Sequence, residues 1–149
     1  MRLSSHDASF LYSETASGAM HSIVFTVIEG AVSFDSYFSF MAQRIHLVPR
    51  LRQRLVFVAN NLAHPKWVDD PDFDLANHIV PTEVPPGSSL EDVIAHGLAL
   101  GEPLMDRTRP MWVTYVAENV EGNTVLIQLS HHAMIDGASA VEIGNLTVD

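Results

Sequence analysis

Two apolar runs near the end of the chain, joined by the short stretch NVEGN, constrain the fold more than any other feature. The runs are MWVTYVAE (Met111–Glu118) and TVLIQLSHH (Thr124–His132). β-Branched and aromatic residues are abundant in both, and a Gly-containing loop of this length between two such runs is typical of a β-hairpin. The sequence therefore predicts two adjacent antiparallel strands, the second of which ends in a pair of histidines.

Earlier in the chain, strand and helix signals alternate irregularly, and the opening ASFLYSETASGAMH predicts turns around a short apolar patch. The other predicted elements are a strand over Ser22–Gly30, a helix capped by Ser33 and ended by Pro49, a strand over Arg50–Leu55, short strands around PKWVDD and HIVPTEV, and a helix from a Ser88–Glu91 capping box to Gly101. This mixture predicts an α/β fold in which helices flank a largely mixed sheet.

Length and composition narrow the class of protein. A chain of 149 residues is the size of one domain, so residues 1–149 are expected to form a single unit. The net charge of −10 argues against nucleic-acid binding, which needs a basic surface, and the absence of cysteine excludes disulfides and thiolate chemistry. No apolar run reaches the roughly 18 residues of a membrane span, and MRLSSHDASFLYSE lacks a secretory apolar region. These features predict a cytoplasmic, soluble protein with room for peripheral contact with lipid.

The second hairpin strand separates the two adjacent histidines, because side chains alternate between the faces of a strand. One face is apolar up to its histidine: Val125, Ile127, Leu129 and His131. The other face carries polar residues: Leu126, Gln128, Ser130 and His132. We therefore expect the first histidine to be buried and to hold the following loop by hydrogen bonds. If the strand stays regular, the second faces a solvated channel that Gln128 and Ser130 line.

A neutral imidazole is suited to taking a proton from a hydroxyl as that hydroxyl attacks a carbonyl carbon, so His132 is the candidate general base. Asp136 either orients the loop or the imidazole, or caps a following helix, and Gly137 permits close approach of backbone or ligand. Other readings of the same residues are chance adjacency of two histidines, a metal site, or a Ser-His-Asp triad with Ser130. Opposed side chains argue against the metal, and the strand context argues against the triad.

Four segments give the chain a family resemblance. HHAMIDG (His131–Gly137) fits the HHxxxDG motif of CoA-dependent acyltransferases. DASFLYSET (Asp7–Thr15) resembles the opening of bacterial wax ester synthase/diacylglycerol acyltransferases, and VPRLRQRL (Val48–Leu55) is similar to a run in that family. EPLMDRTRPMW (Glu102–Trp112) resembles its PLDRSRPLW segment, with Met105 inserted and Met111 replacing Leu.

The resemblance implies a chloramphenicol-acetyltransferase-like domain that transfers a fatty acyl group from acyl-CoA to a long-chain alcohol or diacylglycerol. In that family the product is a wax ester or a triacylglycerol stored in lipid inclusions, acyl-CoA is a co-substrate, and neither a cofactor nor a metal is implied. His132 would be the base, His131 would support it, and Asp136 would be mainly structural. Gly137 would keep the path of the CoA arm open. Pro110, Met111 and Trp112 would shape the site or serve only in packing.

Members of this family have two similar domains, so the resemblance implies an N-terminal domain that needs a C-terminal domain for activity. A condensation- or acetyltransferase-type enzyme with a smaller acceptor and a non-catalytic lipid-binding module are the alternatives. Half of the basic residues cluster in one stretch: Arg44, Arg50, Arg52 and Arg54. This cluster is expected to form a solvated face with ion pairs, or to contact CoA phosphates or an acidic partner.

Overall fold

The computed structural model describes residues 2–15, 21–59 and 62–134. The α-helices in these ranges are α1 (Ser5–Ser13), α2 (Phe34–Ala42) and α3 (Leu90–Leu100). The strands are β1 (His21–Ile28), β2 (Gln53–Val56), β3 (Lys66–Asp69), β4 (Ile79–Pro81), β5 (Trp112–Val120) and β6 (Asn123–His131). Short 3₁₀ helices cover Ile45–Leu47, Pro49–Arg52 and Leu75–Asn77.

A four-stranded sheet of order β1-β6-β5-β4 organises these elements. β6 pairs antiparallel with both β1 and β5, whereas β4 pairs parallel with β5, so the sheet is mixed and the predicted α/β class is confirmed. β2 and β3 form a separate antiparallel pair. The predicted hairpin is also confirmed: Val120 pairs with Asn123 across the two-residue loop Glu121-Gly122, whose φ values are 54° and 80°. Two positive φ angles are the signature of a type I′ turn.

Helices cover both faces of the sheet. On one face, α3 buries Val93 fully against the hairpin, and a Cβ at Gly97 would collide with the ring of Phe25. On the other face, α1 and α2 contribute Leu11 and Met41 to a larger core. The hairpin is therefore enclosed from two sides, and this enclosure determines which residues of β6 can reach solvent.

Leu126 shows that one expectation about β6 was too simple. The apolar face is buried as predicted, but Leu126 on the opposite face is also 0% exposed, because α1 and α2 pack over it. The opposite face is thus not a solvated channel along its whole length. Only near the histidine end do Gln128 and Ser130 become partly exposed.

Three helix and strand boundaries differ from the sequence predictions. The helix expected up to Pro49 ends at Ala42, and 3₁₀ turns follow because proline begins such a turn more readily than it continues a helix. The strand expected from Arg50 consequently begins at Gln53. The capping box of α3 lies one residue later than predicted, because Ser89 and Asp92 exchange the two hydrogen bonds.

Helix α1 was not predicted at all. Ser4 caps it by accepting a hydrogen bond from the backbone N–H of Asp7, and its buried residues are Ala8 and Leu11 alone. Two buried residues in nine give a weak helical pattern, which the surrounding serines disguise as a loop.

Candidate active site

Strand β6 ends at His131, and the turn that follows exposes the next residue. The backbone N–H of His131 still belongs to the sheet, since it donates to the Met111 carbonyl at 3.0 Å. In the turn, the N–H of Met134 donates to the His131 carbonyl at 3.0 Å, and Ala133 and Met134 are both buried. His132 is the exposed residue between buried neighbours, so the turn directs this imidazole outward. Its exposure therefore comes from a turn and not from strand alternation.

His131 is fully buried, as predicted, and its hydrogen bonding assigns its tautomer. Nδ1 accepts a hydrogen bond from the Ala133 backbone N–H at 3.0 Å, which leaves the ring proton on Nε2. Burial lowers the pKa of His131 below its ordinary value, so the ring is neutral at neutral pH. The backbone N–H groups of Ala133 and Met134, in the turn that follows, both donate to His131.

A buried carboxylate lies beside that ring. Glu14 Oε2 is 3.1 Å from His131 Nε2, with the N–H turned off the line between the two atoms, so the contact is mainly electrostatic. The Glu14 side chain is 1% exposed, and its other oxygen is 2.9 Å from Nη2 of Arg107. The same Nη2 donates to the Leu11 carbonyl at 2.9 Å. Arg107, Glu14 and His131 form a trio, with Glu14 and His131 buried and Arg107 partly exposed, that joins the end of α1 to the end of β6.

Sequence reasoning did not identify Glu14 or Arg107 as site residues. Both lie within segments that carried the family resemblance, DASFLYSET and EPLMDRTRPMW. Glu14 is one of two acidic residues in the first segment, and Arg107 is one of four charged residues in the second, so the sequence did not single out either residue. What the sequence could not show is that the fold brings these stretches together at the first histidine.

The ring of His132 lies against helix α1. Its centroid is 5.1 Å from that of Phe10, and the planes are inclined by 31°. The rings of His6 and Phe10 are also in contact, in a T-shaped arrangement with centroids 5.3 Å apart. Helix α1 therefore supports the exposed imidazole through Phe10 and, one turn later, the buried imidazole through Glu14.

Gln128 and Ser130 lie on a partly exposed strip shared by β1 and β6. Gln128 Oε1 accepts a hydrogen bond from Thr26 at 3.0 Å, and the hydroxyl of Ser22 donates to the Ser130 carbonyl at 3.4 Å. Val24, between these two pairs on the same face, is 51% exposed. The strip offers hydroxyl, amide and apolar surface leading toward the end of β6.

The predicted site-shaping residues Pro110, Met111 and Trp112 are all buried. Met111 touches the motif directly through its carbonyl, which accepts the His131 N–H. Trp112 donates from Nε1 to the Leu51 carbonyl at 2.8 Å, and with Pro110 it lines a cavity of about 290 Å³ beside β5. The segment thus has packing contacts throughout and one hydrogen bond to the candidate site.

The arginine cluster has contacts that the sequence did not suggest. Three of the guanidinium groups lie over aromatic rings: Arg44 over Phe40 at 4.2 Å, Arg50 over Trp67 at 4.5 Å, and Arg52 over Phe73 at 5.5 Å. Arg54 forms an ion pair with Asp70 at 3.7 Å, in line with the expected ion pairing. Cation–π contacts of this kind make the cluster part of the packing around α2, β2 and β3.

Asp136 and Gly137 lie outside the described residues, so their predicted roles stay predictions. Among the residues that the structure describes, His, Asp and Glu side chains do not gather into a group of three suited to a metal ion. None of the described helices combines the length and apolar character needed to cross a membrane.

A family model described as the wax ester synthase/diacylglycerol acyltransferase catalytic domain matches residues 3–149. A Mycobacterium tuberculosis protein named as a probable diacylglycerol O-acyltransferase is 34% identical over 155 aligned residues, which cover 99% of this chain and 56% of the relative. The chain thus spans little more than half the length of that relative.

Among solved structures, the wax ester synthase/diacylglycerol acyltransferase of Marinobacter aquaeolei VT8 superposes with a TM-score of 0.78 at 25% identity, covering 97% of this chain and 37% of that one. The starter condensation domain of rhizomide synthetase, solved in complex with C8-CoA, gives a TM-score of 0.74 at 17% identity, covering 98% of this chain and 34% of that one. The second likeness concerns the fold alone. Together they confirm the predicted type of fold.

Proposed function

Because the chain belongs to the wax ester synthase/diacylglycerol acyltransferase family, we propose that it supplies the catalytic base of an enzyme that moves a fatty acyl group from acyl-CoA to a hydroxyl. The acceptor is a long-chain alcohol or a diacylglycerol, and the product is a wax ester or a triacylglycerol. Membership confirms the resemblance read from HHAMIDG, DASFLYSET and EPLMDRTRPMW. The observation that carries the proposal is the exposed His132, presented by a turn whose other members are buried.

The proposed reaction needs one base and one leaving group. The neutral imidazole of His132 takes the proton of the acceptor hydroxyl while that oxygen attacks the thioester carbonyl carbon. The carbon–sulfur bond then breaks, and the imidazolium returns the proton to the sulfur, so that CoA leaves as a thiol. A positioned base of this kind contributes about 10²–10⁴-fold to the rate. Acyl-CoA is consumed as a co-substrate, and the scheme uses no further cofactor. The C8-CoA complex of a protein with this fold supports a CoA thioester as the donor.

We propose further that the complete active centre takes residues from a second, C-terminal domain. His132 is exposed, whereas a fatty acyl thioester and a lipid acceptor need an apolar enclosure that excludes water. The relatives that match are longer, since the chain covers 56% of the Mycobacterium tuberculosis protein and 37% of the Marinobacter enzyme. A second domain packed over His132 and the Gln128–Ser130 strip would supply that enclosure.

Peripheral contact with a membrane or lipid inclusion fits the same proposal, because the acceptor is itself a lipid. Two apolar side chains near α1 are well exposed: Leu62 at 81% and Tyr12 at 54%. They border the same open depression as Arg2. Apolar groups beside a cation are the combination that favours an anionic lipid surface.

The test is an acyltransfer assay with palmitoyl-CoA and either hexadecanol or a diacylglycerol, run with this chain alone and with an added C-terminal domain. We expect activity only in the combined protein, and high activity of the chain alone would refute the need for a second domain. His132→Ala should lower kcat by about 10²–10⁴-fold. His46→Ala is the matched control, since His46 is also exposed but lies on a 3₁₀ helix outside the site. Undiminished turnover in His132→Ala would exclude this residue as the base, and preference for acetyl-CoA would favour an acetyltransferase-type reaction.

A further inference from the structure

The trio of Arg107, Glu14 and His131 takes no direct part in the proposed proton transfer by His132. We infer that Glu14 is a positioning residue: held by Arg107, its carboxylate keeps the ring proton of His131 on Nε2, and the Nδ1 lone pair then fixes the turn that presents His132. The inference rests on the proposed function for its effect on turnover. Its structural half, the tautomer and the turn, can be measured without any activity.

The neighbours of the His131 ring determine which nitrogen carries its proton. A neutral imidazole carries its proton on one nitrogen only, and the other nitrogen is an acceptor. The backbone N–H of Ala133 points at Nδ1 of His131 at 3.0 Å, so the proton must be on Nε2. An Nε2–H group buried in an apolar setting is stable only near a negative or accepting atom, and Glu14 Oε2 is 3.1 Å away.

The charges around the His131 ring balance one another. Three charged or titratable groups face His131: Glu14 at the end of α1, Arg107 in the segment before β5, and His21 opposite it on β1. His21 Nε2 faces the Gly101 carbonyl and so does not compete for the carboxylate. The Arg107 guanidinium balances the Glu14 charge at 2.9 Å, so the trio is neutral overall when His131 is neutral. The carboxylate therefore orients the ring proton without needing to take it.

The tautomer of His131 determines the position of His132. His131 accepts both hydrogen bonds of the turn: Nδ1 accepts from the backbone N–H of Ala133, and the carbonyl accepts from that of Met134. With the proton on Nδ1, two N–H groups would face each other and the turn would open. His132 would then leave the Phe10 ring, 5.1 Å away, against which it is held. Glu14 thus affects the proposed base indirectly: through His131, it fixes the position of the His132 ring.

The decisive variant is Glu14→Gln, which keeps the shape of the side chain and removes its charge. Glu29→Gln is the matched control, because Glu29 is an exposed carboxylate just after β1. In the 149-residue chain labelled with ¹⁵N-histidine, the wild type and Glu29→Gln should show His131 protonated on Nε2. Glu14→Gln should show a shift toward the Nδ1–H form together with faster hydrogen exchange of the Ala133 amide. An unchanged tautomer and unchanged exchange would overturn the inference.

Turnover gives the second readout, in the active combined protein. Glu14→Gln should lower kcat by up to about 10²-fold, the loss typical of a catalytic group displaced by about 1 Å, and should leave KM nearly unchanged. In His131→Asn, the amide oxygen can still accept from Ala133 but cannot reach Glu14. Adding Glu14→Gln to this variant should therefore lower kcat little further. A full, additive loss would show that Glu14 acts in some other way and would overturn the inference.

Two safeguards keep these outcomes distinct. If Glu14→Gln does not fold, Arg107→Lys is measured instead, since the shorter lysine side chain does not reach the position of Nη2, the one atom that donates to both Glu14 and the Leu11 carbonyl. The same tautomer shift, smaller in size, is expected, and its absence would overturn the inference. If the wild-type combined protein transfers no acyl group, the proposed function fails, while the tautomer measurement still decides the role of Glu14.

Discussion

The Nδ1 atoms of two buried histidines, His78 and His131, have opposite roles in hydrogen bonding. His131 accepts a hydrogen bond at Nδ1 from Ala133, whereas His78 directs Nδ1 at the Trp112 carbonyl, 2.7 Å away, and must donate. His78 is therefore protonated on Nδ1 and His131 on Nε2. Burial lowers the pKa of both residues, so burial alone does not distinguish them. The difference lies in the backbone group that each Nδ1 faces.

The surroundings of the two rings differ as well. His78 is stacked between Phe73 and Trp112, with centroid distances of 5.2 and 4.9 Å. His131 lies beside the carboxylate of Glu14. Stacking constrains the shape of a region, whereas a buried ion pair constrains its protonation states. We therefore expect the stability of the His78 region to depend on packing and that of the His131 region to depend on charge. Substitutions in the two regions test this difference.

The largest difference should follow removal of one partner from each region. Glu14→Ala leaves the Arg107 charge and the His131 N–H without their carboxylate and should lower the free energy of unfolding by about 3 kcal/mol. This is the lower end of the usual range, because the Arg107 side chain is 34% exposed and can turn toward water. Phe73→Leu should cost about 1 kcal/mol, since it removes the stacking on His78 and the cation–π contact with Arg52 but leaves no buried charge unpaired. Urea unfolding measures both, and equal losses would contradict the distinction.

The next difference concerns amides that imitate one ring nitrogen. Asn places its amide near the position of Nδ1 and Gln places it near Nε2. His78→Asn can still donate to the Trp112 carbonyl, so it should be more stable than His78→Gln by about 1 kcal/mol, the typical net value of one hydrogen bond. At position 131 each substitute keeps one contact and loses the other, Asn retaining Ala133 and Gln retaining Glu14, so a smaller gap is expected. Thermal unfolding of the four variants checks the order.

The smallest effect should be a dependence of stability on pH that the two regions share. The folded-state pKa of His78 and of His131 lies below the ordinary value of 6.5. As the pH falls below 6.5, the unfolded chain therefore binds protons before the folded chain does, and the free energy of unfolding decreases. The stability contributed by neutral burial is complete above this pH. Unfolding measured between pH 7.5 and 5.5 should show the decrease, and the double variant His78→Asn/His131→Asn should flatten it.

Strand alternation was the most informative part of the sequence. It predicted that His131 is buried, while the β-branched residues of β5 and β6 and the Gly-containing loop between them predicted the hairpin. Strand alternation did not predict the burial of Leu126, because the sequence of β6 does not show that helices pack on the face that carries Leu126. Local pattern thus predicted the elements but not how many sides of each would be covered.

The partners within the site were beyond such reasoning. Glu14 and Arg107 are 93 residues apart, and no sequence motif links the two positions. The stacking of Arg50 over Trp67 likewise depends on how β2 and β3 meet. Long-range pairs of this kind follow from the fold, so they could be read only once the elements had been assembled.

The central position of β6 in the sheet also has a consequence for how the protein is made. β1 pairs along its whole length with β6, and the hydrogen bond between Thr26 and Gln128 spans 102 residues. A ribosome must therefore synthesise most of this chain before β1 finds its neighbour. Contacts between residues this far apart in sequence slow folding, and an apolar strand is prone to aggregation until it has paired. Expression at reduced temperature, or with chaperones that shield the emerging N-terminal segment, should accordingly raise the yield of folded protein.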